Sequence, residues 1–219
     1  MKKSSILLSV ILLLAMTLIG CATKNVIQEE PIKEEISKAN DKESVIETTE
    51  VATDVETEKS KDIEIDNSLI SNYDIFEVTS DNLHDGKWDD IVSYTNKGEN
   101  KSPQLSWEPV DGASSYAIYM VDTSMQYWIH WKASDVKETV LPLGHAKETE
   151  YIGPYPPETG THTYEIYVIA LKNSVERLKG GLNGQNQKFT TFIDALDTDA
   201  EGNTGNIVGA AHLVGTFTN

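Results

Sequence analysis

Between residues 73 and 219 the apolar positions fall into short β-branched and aromatic runs divided by turn formers. The runs are Asp74–Thr79, Gln104–Trp107, Ser115–Asp122, Trp128–Ala133, Thr139–Leu141, Tyr164–Leu171 and Leu213–Thr218. Short strands at this spacing predict an all-β domain, an antiparallel β-sandwich, rather than alternating βα units. Two stretches, Lys188–Leu196 and Asn206–Leu213, are predicted as short helices. No internal repeat is visible.

Side chains alternate across a strand, so the runs also show what each face carries. One face of Ser115–Asp122 presents Tyr116, Ile118 and Met120 and then Asp122. One face of His162–Ala170 presents His162 and then Tyr164, Ile166, Val168 and Ala170. In Trp128–Ala133, strict alternation puts Ile129 and Trp131 on one face and His130 on the other. An apolar face that ends in an ionisable residue has the composition of a pocket mouth. From periodicity alone, His130 and His162 read equally well as core histidines bonded to backbone.

The pattern before residue 73 is different in kind. Lys2 and Lys3 precede an almost purely apolar run, Ile6 to Ile19, which ends in Leu18-Ile19-Gly20-Cys21. A membrane-spanning helix needs about 20 apolar residues, so this run fits the core of a signal peptide better than a span. The chain's only cysteine sits at the cleavage position of a bacterial lipobox. Residues 1–20 are therefore expected to be a lipoprotein signal peptide and Cys21 the lipid-attachment site. An uncleaved anchor and a plain signal peptide are the alternatives. The expected location is extracytoplasmic, on the bacterial cell membrane.

Residues 21–72 hold fourteen acidic and six basic side chains, no aromatic residue, no glycine and one proline, Pro31. Their scattered Ile and Val never form a face wide enough to bury, so ordering entropy is not offset and the segment is expected to be an extended tether. All seventeen aromatic residues lie at or after Tyr73, in the expected domain 73–219. The formal charge of −17 repels polyanions, which disfavours nucleic acid as a partner. A single cysteine excludes an intramolecular disulfide framework and a cysteine-based zinc cluster.

Several motifs in order then carry a resemblance. They are Phe76-Glu-Val-Thr-Ser80, Leu83-His-Asp-Gly86, Gly98-Glu-Asn-Lys-Ser-Pro103-Gln-Leu-Ser-Trp107, Val121-Asp122, Trp128-Ile-His130-Trp131, Tyr151-Ile-Gly153-Pro154-Tyr-Pro156-Pro157 and His162-Thr-Tyr164. In these the chain resembles the phosphatidylethanolamine-binding proteins, in the short bacterial form related to Raf kinase inhibitor protein. The resemblance implies Greek-key connections and a small anion pocket formed by Asp122, His130, His162 and Tyr164. It makes the loop Gly153, Pro154, Tyr155, Pro156 and Pro157 one wall, with Tyr155 narrowing the entrance. By analogy with bacterial relatives it also implies a homodimer. One departure is plain: Asp122-Thr123-Ser124-Met125-Gln126 stands where the family has Asp-Pro-Asp-Ala-Pro.

Protonated imidazoles suit a phosphate or carboxylate, and the neighbouring Tyr127, Trp128 and Trp131 offer faces for a cationic head. The expected function is thus a non-catalytic binding module for a small anionic, phosphate- or phospholipid-headgroup-like ligand. Ligand-binding positions are Asp122, His130, Gly153, Pro154, Tyr155, Pro156, His162 and Tyr164. No metal and no cofactor is expected. A hydrolase using the two histidines and Asp122 is one alternative, although no Ser or Cys lies in a nucleophile signature and no H-E-x-x-H spacing occurs. An inhibitor of an extracytoplasmic protein such as a protease is the other. Asp197–Asn203 starts like a calcium loop, but Val208 occupies the twelfth position, where a bidentate Glu is needed. Gly180, Gly181 and Gly184 read as a flexible loop, and His84, His145 and His212 are given no role.

Overall fold

The computed structural model describes residues 66–219. The expected signal peptide, Cys21 and nearly all of the expected tether lie outside the described residues. In chain order the strands are β1 (Val78–Thr79), β2 (Leu83–His84), β3 (Lys87–Trp88), β4 (Leu105–Trp107), β5 (Ser115–Asp122), β6 (Trp128–Val136), β7 (Val140–Leu141), β8 (Thr161–Leu171) and β9 (Ile207–Thr218). They form a three-stranded sheet, β1-β4-β7, and a six-stranded sheet, β2-β3-β9-β8-β5-β6. Neighbouring strands are antiparallel, except β3 beside β9, which pair in parallel through Lys87 and Thr216.

The large sheet is covered on both faces. Tyr116, Ile118 and Met120 of β5, with Ile166 and Val168 of β8, join Leu105, Trp107 and Leu141 of the small sheet in one core. Ala117, Tyr119 and Val121 of β5, with Tyr167 and Ile169, join Phe189 and Ile193 in a second core. All eight residues of β5 are buried. A strand packed on both sides has no solvent face to alternate with, so its apolar residues run on without a break.

Helix α1 (Thr190–Asp194) falls inside the stretch predicted as helical and continues into a 3-10 turn, Ala195–Asp197. The second predicted helix is not one. Asn206–Leu213 supplies the first half of β9, paired with β8 from Ile207↔Leu171 to Leu213↔Ile166. Gly209 serves packing here: a Cβ on it would lie 3.3 Å from the Phe76 ring. Long-range pairing overrides a weak local propensity here.

The packed body also begins before Tyr73. A 3-10 turn, Ser68–Ile70, buries Ile70 completely in the second core. One isoleucine has no periodicity, which is why residues 66–72 read as tether.

Candidate functional site

A bulge creates the site. Met120 pairs with Trp131 and Val121 with Ile129, so β6 carries one residue, His130, that β5 does not match. An extra residue in one strand re-aims the side chains around it. Ile129 accordingly enters the second core and Trp131 the first, which corrects the expectation that they share a face. His130 turns toward the first-core side, where its ring meets Tyr164 edge-on at 5.1 Å.

Asp122 and Tyr164 are direct cross-strand partners at the ends of β5 and β8. His162, two residues before Tyr164, shares its face. The Asp122 carboxylate is 3% exposed, and both of its oxygens are used. Oδ2 lies 2.6 Å from His162 Nδ1, and Oδ1 accepts the backbone N–H of Met125 at 3.1 Å. The second bond caps a 3-10 turn, Thr123–Met125. That turn is how this chain builds the segment Asp122–Gln126, which holds no proline. Gln126 and Tyr127 then both take positive φ (+55° and +56°), a costly pair for non-glycine residues, and return the chain to β6.

The wall loop supports the histidine more than it lines the cavity. His130 Nδ1 lies 2.7 Å from the Ile152 carbonyl and 3.1 Å from the Gly153 carbonyl. Gly153 is pinned by its own N–H to Asn100 Oδ1 at 2.7 Å, and a Cβ there would collide with the Val92 carbonyl. The Pro154 carbonyl accepts from Tyr94 N, and the Pro156 carbonyl from Asn219 Nδ2.

Asp122, His130, Tyr155, His162 and Tyr164 surround one cavity of about 260 Å³, with Met125, Trp128 and Pro157 completing its lining. Gly153, Pro154 and Pro156 stand behind it. Met125 is not singled out from sequence, whereas Pro157 belongs to the wall that the resemblance implies. Asn183 is not singled out either; its Oδ1 accepts from the Tyr155 hydroxyl at 2.6 Å and from Trp128 Nε1 at 3.2 Å. Its only local signal is the Asn183-Gly184 dipeptide, which marks a turn and nothing more.

Electrostatics distinguish the groups. Burial pushes the His130 pKa below its ordinary 6.5, against the backbone carbonyls and Asp122, which favour the charged ring. At neutral pH the ring is therefore neutral. Its Nδ1 carries the proton, facing two carbonyl oxygens, and Nε2 is a bare acceptor. Burial, reinforced by the Asp122 carboxylate, raises the Tyr164 phenol, so it stays a donor. Burial raises Tyr155 as well. Among the described residues, no protein partner bonds Nε2 of His130 or of His162, and no group of three or more His, Cys, Asp or Glu is arranged to hold a metal ion.

The family model described as phosphatidylethanolamine-binding protein matches residues 79–218. A UPF0098 protein of Methanothermobacter thermautotrophicus is 28% identical over 145 residues, which is 57% of this chain and 87% of that protein. Among solved structures, E. coli YbcL, described as a member of the mammalian PEBP family, aligns with a TM-score of 0.50 at 20% identity. The match covers 66% of this chain and 98% of that one. At that identity the likeness concerns the fold.

Proposed function

The chain belongs to the phosphatidylethanolamine-binding protein family, and we propose that its pocket binds one small phosphate- or headgroup-like anion reversibly, without turning it over. The observation that carries this reading is the 2.6 Å contact of Asp122 with His162, which occupies Nδ1 and leaves Nε2 without a protein partner in a cavity that His130 also lines. Asp122 anchors the His162 ring, and Tyr164 supplies a hydroxyl. His130 adds a condition. As a neutral acceptor it matches a ligand oxygen only if that oxygen carries a proton or the ring takes one up. Phosphate monoesters, with a second pKa of about 6, bring such a proton under mildly acidic conditions. A phosphodiester does not, so its binding draws a proton onto His130.

We further propose that the domain is held outside the cytoplasm by a lipid on Cys21, with the stretch between Cys21 and the packed body as spacer. Two or three acyl chains, at about 0.8 kcal/mol per buried methylene, anchor a protein where one does not. Replacing Cys21 by alanine should leave an unprocessed precursor that takes up no labelled fatty acid.

Calorimetry with inorganic phosphate and O-phosphoethanolamine tests the pocket. Each charge-assisted hydrogen bond contributes about 1.5–3 kcal/mol, so His130→Ala and His162→Ala should each weaken binding about ten-fold or more. Affinity should rise as the pH falls toward the folded pKa of His130, which burial holds below the ordinary 6.5. A folded double variant that binds phosphate as tightly as the wild type removes this pocket as the site. Turnover of a phosphomonoester would instead support the hydrolase alternative.

A further inference from the structure

The pocket shares a wall with a second, open groove. That groove, about 670 Å³, runs past Tyr94 and Lys97, and Tyr155 and Pro157 border both spaces. Proline is stiff, so Tyr155 is the part of the wall able to swing. Its ring is met edge-on by His130 at 5.5 Å, Tyr94 at 6.1 Å and Trp128 at 6.4 Å. Those contacts position the ring but do not lock it, and Tyr155 is 37% exposed. The lock is the hydroxyl, which donates to Asn183 Oδ1 at 2.6 Å, the same oxygen that Trp128 Nε1 meets at 3.2 Å.

Asn183 is itself fixed to the strand that carries His130. Its backbone N–H donates to the Ile129 carbonyl at 2.8 Å, and Ile129 N–H donates to the Gly184 carbonyl at 3.1 Å. The buried Asn186 braces the turn through Nδ2 to the carbonyls of Gly184 at 2.6 Å and Gly181 at 3.0 Å. The glycine-rich loop that reads as flexible is thus a bracket holding one amide oxygen over the pocket mouth.

Resting on the anion-site reading, we propose that Asn183 is a specificity-determining residue. By fixing Tyr155 across the boundary, it restricts the pocket to compact phosphates and closes the passage to the Tyr94–Lys97 groove. Released, Tyr155 rotates away and the two spaces join, admitting phosphate esters with a bulky substituent.

The test compares the full chain with its Asn183→Gly and Asn183→Asp variants, using inorganic phosphate and phenyl phosphate as probes. Glycine tolerates the left-handed backbone at position 183 (φ +57°) and removes the acceptor. Aspartate keeps the acceptor and adds a charge that weakens both probes alike. The readout is the ratio of the two affinities. Losing a bond of this kind should shift it about ten-fold toward phenyl phosphate in Asn183→Gly and leave it in place in Asn183→Asp. Tyr155→Phe removes the donor instead and should reproduce the glycine result. An unchanged ratio in both Asn183→Gly and Tyr155→Phe overturns the proposal. If the wild type binds neither probe, the anion reading fails by itself, and access decides: modification of His130 by diethyl pyrocarbonate, mapped by mass spectrometry, should be faster in Asn183→Gly. Equal rates there overturn the latch.

Discussion

Asp122 and His162 meet at 2.6 Å, Oδ2 to Nδ1, across the ends of two paired strands, while the other oxygen of Asp122 caps the turn that follows it. One side chain thus orients an imidazole and shapes the segment where this sequence departs from its family. Asp122→Asn separates the two tasks. The amide oxygen can still accept from Met125 N–H, so the variant should fold, but the charge beside His162 is gone. Hydrogen bonds to charged groups contribute about 1.5–3 kcal/mol, so phosphate affinity at pH 7 should fall about ten-fold or more by calorimetry. A folded variant that binds equally or more tightly would mean that repulsion between Asp122 and the anion outweighs the orientation it provides.

His130 makes stability depend on pH in a defined direction. Its folded pKa lies below the ordinary 6.5, chiefly through burial. Between those two values the unfolded chain binds more protons than the folded one, so stability rises with pH. The contribution is fully present above pH 6.5 and is lost as pH falls from there toward the folded value. Urea titrations from pH 7.5 downward should show this decline beginning near 6.5. His130→Asn places an amide N–H near the old Nδ1 and has nothing to titrate at this position, so the part of the decline due to His130 should be missing from its profile. Glu165 responds only at lower pH: burial opposes its charged form, but hydrogen bonds from His212 and Tyr167 outweigh that and hold it below 4.5. A wild-type decline no steeper than that of His130→Asn would contradict the buried neutral imidazole.

The strands that frame the site were legible because they pack with their own periodicity. Ser115–Asp122 has the same bounds in the structure as in the sequence pattern, and its ending in Asp122 marked the site. What stayed hidden depends on partners far along the chain. The bulge at His130 is a mismatch between β6 and β5, so no pattern within β6 reveals it. The hydrogen bonds of Asn100 to Gly153 and of Asn183 to Tyr155 close long sequence gaps with single amide oxygens, and local propensity has no term for either. The helix expected over Asn206–Leu213 failed for a related reason: the stretch pairs with β8, far along the chain, and Gly209 admits the Phe76 ring against β9.

Gly153 ties backbone packing to the state of His130. Any Cβ at 153 would collide with the Val92 carbonyl, and the Gly153 carbonyl is one of the two that hold Nδ1 of His130. Overpacking against backbone typically costs about 1–3 kcal/mol, so Gly153→Ala should lower the melting temperature by several degrees. The loop must shift to relieve the clash, and the carbonyls move with it. Phosphate affinity measured well below the melting temperature should therefore fall as well. A variant that loses stability and keeps full affinity would show that the loop is scaffolding without influence on the pocket.

Ile70 sets where a stable domain begins. It is fully buried in the core that contains Phe189 and Ile193, and nearby Tyr73 reaches Asp194 Oδ1 through its hydroxyl at 3.4 Å. The segment 66–73 therefore closes one side of α1, with Asn67 adding a contact to His212 at 3.2 Å. Truncating a buried Ile to Ala typically costs about 2–5 kcal/mol, through lost transfer energy and the cavity left behind. Ile70→Ala in the full chain should lose stability in that range in denaturant titrations. Phosphate affinity should be unchanged, because Ile70 belongs to the core on the far side of the large sheet from the pocket. The outcome separates two descriptions of this stretch. If Ile70→Ala is neutral, residues up to 72 behave as tether and the domain starts at Tyr73. A loss of several kcal/mol makes the last residues before Tyr73 part of the folded body, and shortens the spacer accordingly.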